Sequence, residues 1–357
     1  MSNLSITSVD VNTFPEFDTH KRVLRIEDSA SGLLAFISIH NTNRGPAIGG
    51  TRYWHYQKEE DALRDSLRLS RAMTYKCAIA EVSFGGAKGV ILAPKDGEGD
   101  KDAILTAYAK ALAELGEPFY TGEDVGLNEH DIQILEQHSN TIVGRPKVGG
   151  LPARWAALSV FYAMEGALAM QTGSASFEGK KIAIKGLGGV GIDLCALLEK
   201  TGAKLIGADI VPERIERALK NHPTIEIVDS AIIHTIESDI YSPCAMGNEF
   251  NKDTIPNLKT KIICGAANNQ LTTQEDGQAL FEAGILYVPD YVANAGGLIS
   301  VADELHPLGY SQERVESDIK RIRNTVEKII ETSIRDSIPT GEVADALAEE
   351  RFQKTYD

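Results

Sequence analysis

Apolar and polar positions change their period several times along this chain, and each change marks an element. GLLAFISIHNT, residues 32 to 42, alternates apolar side chains at the two-residue period of a strand. From Glu59 to Tyr75 the period lengthens. Ala62, Leu63, Ser66, Leu67, Ser70 and Met73 recur at three- and four-residue steps, which gathers one small or apolar helix face. A second helix is expected from Asp102 to Leu115, closed by Gly116. Near residue 147 the segment RPKVGGLPA is rich in Pro and Gly and reads as an interdomain crossing. A helix from Ala153 to Gln171 follows. Beyond it the segments KKIAIKG, AKLIGADI, SDIYSPC, TKIICGA and ILYVPD alternate with helical stretches, which predicts a parallel, doubly wound sheet. The tail from Ser311 is helical, charged and long enough to fold back on the first domain.

Composition narrows the class. The 357 residues suffice for two domains at about 100–200 residues each. No run of about 18 apolar residues predicts a membrane span. MSNLSITSVD lacks the basic and apolar regions of a secretory leader. A net charge of −15 speaks against nucleic-acid and anionic-membrane partners. The four cysteines form no CxxC pair and read as buried thiols of a reducing cytoplasm. The histidines are scattered, so no metal site is expected.

Two glycine-rich stretches carry candidate chemistry. In KIAIKGLGGVGIDLCALLEK, Gly186, Gly188 and Gly191 form G-x-G-x-x-G between an apolar strand and an apolar helix, with Gly189 and Val190 inside the turn. That context fits a dinucleotide pyrophosphate at a helix N-terminus. The next strand ends in Asp209, followed by Ile210, where an acid can bind a ribose 2′-hydroxyl and repel a 2′-phosphate. NAD is therefore the expected cofactor, with Arg214 just beyond the acid. The second stretch, EVSFGGAKGV, reads as a glycine-rich turn holding Lys88. It is not a phosphate loop, because Gly89 stands where Ser or Thr is needed.

Several blocks in order, GPAIGGTRYWHY, LRLSRAMTYK, FGGAKGVI, TGEDVG, GLGGVG, PCAMG, CGAANNQL and PDYVANAGGLISVADEL, resemble the leucine/phenylalanine/valine dehydrogenase branch of the Glu/Leu/Phe/Val amino-acid dehydrogenase family. The resemblance implies an α/β chain of two domains with a cleft between them. An N-terminal α/β substrate and oligomerisation domain, residues 1–147, would be completed by helices at 325–357. A Rossmann NAD-binding domain would span 148–324. It implies that Lys76 holds the substrate α-carboxylate, that Lys88 is the catalytic lysine, and that Asp124 is the general acid/base. Gly49 and Gly50 would leave room for substrate, as would the glycines around Lys88. Asn268 and Asn294 would orient the nicotinamide ribose and substrate, with Cys244, Ala245 and Ala266 lining the cofactor. The substrates would be small molecules, an apolar amino acid or its 2-oxo acid and ammonia, and the assembly a cytoplasmic homo-oligomer, dimer or octamer.

The side-chain pocket would be walled by Ile48, Gly122, Val143, Leu298 and Val301. Gly122 and Leu298 point to phenylalanine, Gly122 by opening space for a ring edge, whereas Val143 and the compact ending point to leucine. The expected activity is NAD-dependent deamination of phenylalanine and/or branched-chain amino acids. A leucine-preferring enzyme and a catalytically weak NAD-binding regulator are the alternatives. Apolar Ile48 and Val301 argue against a glutamate side chain, whose burial there would lack partners. Ala156 and the shortened crossing segment depart from the family pattern near the nicotinamide amide.

Overall fold

The computed structural model describes residues 3–95 and 98–353. The first two residues of the N-terminal stretch and positions 354–357 of the expected returning tail lie outside them. The chain divides into two compact units. The first runs up to Gly149, with Glu304–His306 and the chain from Ala348 onward; the second holds Gly150–Asp303 and Pro307–Leu347.

The first unit is built on β1 (Leu4–Ser8), β2 (Arg22–Asp28), β3 (Leu33–Asn41), β4 (Ala47–Trp54), β5 (Gly85–Leu92) and β6 (Phe119–Glu123), ordered β1-β2-β3-β5-β4-β6. The first three strands and β5 pair antiparallel, whereas β4 runs parallel to β5 and β6. Helices α1 (Glu59–Ile79), α2 (Lys101–Ala113), α3 (Glu129–Glu136) and the short α4 (Pro146–Gly149) complete it. Alternation along β3 decides what packs where. Ala35, Ile37 and Ile39 join Leu105 and Tyr108 of α2 in one core, while Phe36 joins Ala62, Leu63 and Leu67 of α1 in another. Both sheet faces are thus covered.

The stretch GGAKGVIL corrects the expected turn: it is β5, a central strand paired with both β3 and β4. Glycines are poor strand formers, but they allow close backbone approach. A Cβ at Gly86 would lie 2.1 Å from the backbone nitrogen of Thr74 in α1. The glycines therefore seat α1 on the sheet. Helix α1 also extends past Tyr75 to Ile79, so Lys76 lies in its last turn.

The second unit contains a wholly parallel sheet of β7 (Lys181–Lys185), β8 (Lys204–Ala208), β9 (Glu226–Ile227), β10 (Ser238–Pro243), β11 (Thr260–Ile263) and β12 (Leu286–Tyr287). Its order, β12-β11-β10-β7-β8-β9, reverses between β7 and β10, as in the doubly wound dinucleotide fold. The helices are α5 (Pro152–Thr172), α6 (Gly189–Glu199), α7 (Pro212–Asn221), α8 (Gln274–Glu282), α9 (Asp290–Ala293), α10 (Gly296–Asp303), α11 (Gln312–Lys320), α12 (Ile322–Asp336) and α13 (Thr340–Gln353). The returning tail is shorter than the expected 325–357. Helix α12 buries Ile322, Val326, Ile329 and Ile330 and packs along α5, so it belongs to the second unit. Only the chain from Ala348 joins the first. None of the described helices is long and apolar enough to cross a membrane.

Candidate active site

In the first unit, β5 delivers Lys88 opposite Ser38 of β3, where its surroundings leave it 6% exposed. Its Nζ donates to Asp124 Oδ2 at 2.8 Å, immediately after β6. Gly50 on β4 borders this pair. A Cβ there would lie 2.9 Å from Asp124 Cβ and 3.3 Å from Lys88 Nζ, so only glycine keeps the space beside the ammonium. Gly49 has a different task. Its Cβ would meet the Ala87 carbonyl oxygen at 1.9 Å, so it is bare to let β4 approach β5, not to admit a ligand.

Burial by itself raises the Asp124 pKa. The Lys88 ammonium and the Arg52 guanidinium more than offset it, holding the carboxyl below its ordinary value. Arg52 was invisible as a site residue in the sequence, where TRYWHY offered only an isolated cation beside aromatics. On β4 its Nε donates to Asp124 Oδ2 at 3.3 Å and its Nη1 to Asp65 Oδ2 at 2.8 Å. The signal that could have found it is the arginine at the third position after Gly49 on the same strand.

Lys76 is half-buried in the last turn of α1. That turn is clamped by the chain's end. Tyr75 donates to Glu349 at 2.6 Å, and Arg351 donates to the carbonyls of Ala78 and Ile79. Ile48 and Val143 are buried. Gly122 needs correction: its Cβ would strike the Val143 carbonyl oxygen at 2.4 Å. It is glycine because residues 141–143 run against β6, with Val143 donating to Thr121 O at 2.9 Å. It opens no space for a ring.

In the second unit, Gly186 turns at φ +101°, and a Cβ there would meet Ala245 N at 2.8 Å. Gly191 lets α6 sit on the Gly186 carbonyl, which a Cβ would approach to 1.9 Å. Gly188 is the N-cap of α6 and supplies no side chain to its first N–H groups, which Gly189 and Val190 continue. A helix start with bare amides behind a glycine turn fits a pyrophosphate. Asp209 Oδ2 accepts from Leu187 N at 2.7 Å and Oδ1 from Val211 N at 2.9 Å. Burial raises its pKa, but these two amides and Arg214 outweigh burial and hold it low. Beside it Ile210 is 85% exposed. Cys244 and Ala245 follow β10, and Ala266 follows β11. Asn294, buried after α9, donates through Nδ2 to Ala266 O at 3.0 Å and to Asn268 Oδ1 at 2.8 Å. It thus orients Asn268, which is exposed. Leu298 and Val301 lie on α10, the former buried. Among the described residues no group of His, Cys, Asp and Glu could hold a metal ion.

Residues 19–141 match the dimerisation domain of the Glu/Leu/Phe/Val dehydrogenases, and residues 212–355 match the Glutamate/Leucine/Phenylalanine/Valine dehydrogenase domain. The leucine dehydrogenase of Geobacillus stearothermophilus is 44% identical over 94% of this chain and 91% of its own. The phenylalanine dehydrogenase of Bacillus thermotolerans is 39% identical over 96% and 91%. The crystal structure of L-tryptophan dehydrogenase from Nostoc punctiforme superposes with a TM-score of 0.84 at 38% identity, over 94% of this chain and 96% of that one. With the paired Lys88 and Asp124 in one unit and a doubly wound sheet in the other, the chain belongs to the Glu/Leu/Phe/Val dehydrogenase family and is an amino-acid dehydrogenase.

Proposed function

We propose that the protein catalyses NAD-dependent oxidative deamination of apolar L-amino acids to 2-oxo acids and ammonia, and the reverse reductive amination. The observation that carries this reading is the pair of buried Lys88 and part-buried Asp124 at 2.8 Å, bordered by the obligatory glycine at position 50. A weak regulator needs no such pair.

The glycine turn, the start of α6 and Asp209 are the residues that would hold the cofactor. Bound there, nicotinamide would accept the hydride that leaves the substrate Cα. The rest falls to side chains of this protein. The Lys76 ammonium holds the α-carboxylate. Asp124, kept ionised by its two cations, takes a proton from the substrate ammonium and passes it to solvent, and loss of hydride leaves an iminium. Water adds to the iminium carbon and gives one proton to Asp124, while the Lys88 ammonium stabilises the electron-rich oxygen that results. Asp124 returns that proton to the carbinolamine nitrogen; the C–N bond breaks, and ammonia departs with the remaining hydroxyl proton as ammonium, leaving the 2-oxo acid. One water is consumed for each amino acid oxidised.

The ionised Asp209 favours NAD, since a 2′-phosphate would be repelled. For the side chain, loss of the Gly122 argument removes one of the two phenylalanine hints. With the leucine dehydrogenase similarity above, this tips the preference toward leucine, with phenylalanine accepted. One methylene in an apolar pocket is worth only about 1–3 kcal/mol, so the ranges overlap. The match to a dimerisation domain supports a homo-oligomer, and four unpaired cysteines suit a reducing, cytoplasmic setting.

The test is a panel of Leu, Ile, Val, Met, Phe, Trp and Glu with NAD and with NADP, followed by absorbance of the reduced cofactor. NADH formation with the apolar members, led by leucine, is the expected result. Absence of turnover with all of them overturns the reading, and a preference for NADP overturns the role of Asp209.

A further inference from the structure

Asp124 is gripped from behind as well as from Lys88. Arg52 lies between two carboxylates, Asp124 at 3.3 Å and Asp65 at 2.8 Å. The Tyr56 hydroxyl donates to the same Asp65 oxygen at 2.6 Å, and Arg68 Nη2 donates to Asp65 Oδ1 at 2.8 Å. The side chains of Arg52, Asp65 and Asp124 are only 21%, 12% and 22% exposed, so these charges act through little water. Lys88 and Arg52 converge on one oxygen of Asp124, Oδ2.

We propose that Arg52, backed by Asp65 and Tyr56, is a positioning residue for deamination: it anchors Asp124 Oδ2 beside Lys88 and sets the proton affinity of the Asp124 carboxylate. This rests on the deamination reading above. The charges around Asp124 are Lys88 on β5, Arg52 on β4, Asp65 and Arg68 on α1, and Glu123 beside it on β6, with the Tyr56 phenol after β4. Of these, Lys88 and then Arg52 lower its pKa most directly, against burial.

The arrangement gives opposite signs for two substitutions. Arg52→Gln removes a cation and raises the proton affinity of Asp124. Asp65→Asn leaves the Arg52 charge uncompensated and lowers it. In the full-length enzyme, kcat/KM for the best amino acid of the panel is measured against pH in wild type, Arg52→Gln, Arg52→Lys and Asp65→Asn. The substrate ammonium titrates alike in all four, so displacements belong to the enzyme. The expected result is a profile moved to higher pH by about one unit in Arg52→Gln, moved to lower pH in Asp65→Asn, and returned toward wild type in Arg52→Lys. If Arg52→Gln fails to fold, the other two variants carry the sign test. Profiles that stay in place while kcat or melting temperature falls reduce Arg52 to a structural brace and overturn the proposal. Displacement of both charge-removing variants in the same direction also overturns it. A wild type that turns over no apolar amino acid overturns the deamination reading itself, which separates the two failures.

Discussion

Lys88 and Asp124 carry opposite charges in a site with little access to water, so removing either one has a direct chemical cost. Lys88→Ala is expected to lower kcat by at least about 10²–10⁴-fold, because proton management and oxyanion stabilisation are lost together. Lys76→Ser is expected to raise KM for the amino acid more than it lowers kcat, since a carboxylate grip acts largely through binding. Steady-state kinetics of the two variants, with circular dichroism to confirm folding, separates the roles. Asp209 has two tasks at once. Its oxygens accept the Leu187 and Val211 amides, and in the proposed reading its charge would exclude a 2′-phosphate. Asp209→Ala should therefore narrow the NAD-to-NADP ratio and also cost about 1–3 kcal/mol for amides left unsatisfied. Nucleotide titration by fluorescence checks the first effect and urea denaturation the second. An unchanged ratio would remove Asp209 from the cofactor site.

At the scale of elements, the bare positions of β5 and β6 are packing devices. Gly86→Ala places a methyl 2.1 Å from the Thr74 backbone nitrogen, so α1 has to lift from β5. A loss of about 1–3 kcal/mol is expected by urea denaturation, together with a raised KM, because α1 carries Lys76. Gly122→Ala meets the Val143 carbonyl and should cost stability without retuning specificity. Leu298→Val is then the informative pocket variant: the ratio of kcat/KM for Phe over Leu should change in it and hold in Gly122→Ala. A large change of that ratio in Gly122→Ala would restore glycine 122 to the pocket wall.

At the scale of the first unit as a whole, the chain's end closes on the substrate-domain helix. Phe352 packs against Tyr75 and His40, with ring centroids 5.3 and 6.2 Å away. His40 in turn lies 4.8 Å from the His20 ring. Burial, and then the His20 ring, push the His40 pKa down to about 4, from 6.5. His20 is also lowered, chiefly by burial. A histidine with a depressed folded pKa binds more protons when unfolded, so its contribution is present above pH 6.5 and is lost as pH falls toward 4. The loss from His40 is bounded at about 3 kcal/mol. Melting temperature should fall over that window and fall less in His40→Gln. An equal acid slope in that variant would show that other groups govern acid lability.

Much of the fold was legible because it rests on local period. The strand-helix alternation after residue 180, the glycine turn between an apolar strand and an apolar helix, and the acid at the end of the next strand follow from spacing along the chain. Helix α1 was legible from its face, though its end was not, because Lys76–Ile79 are held helical by partners distant in sequence, including Arg351 on the Ala78 and Ile79 carbonyls. GGAKGVIL could not be read as a strand from propensity, since glycine loses there by every local measure and gains only when α1 arrives. Lys88 and Asp124 were nameable from their motifs, but their 2.8 Å contact joins β5 to the residue that follows β6, two strands separated by β4. Arg52 was out of reach for the same reason: its meaning lies in Asp65 and Asp124, which only the packing of α1 and β6 around β4 brings to it. The sequence by itself determined the strand-helix alternation of the second unit, the glycine turn and the candidate reacting groups, because these depend on neighbours along the chain. Tertiary structure alone decided which glycines serve packing and which border the ammonium, and which cation stands behind the carboxylate, because these depend on neighbours across the sheet.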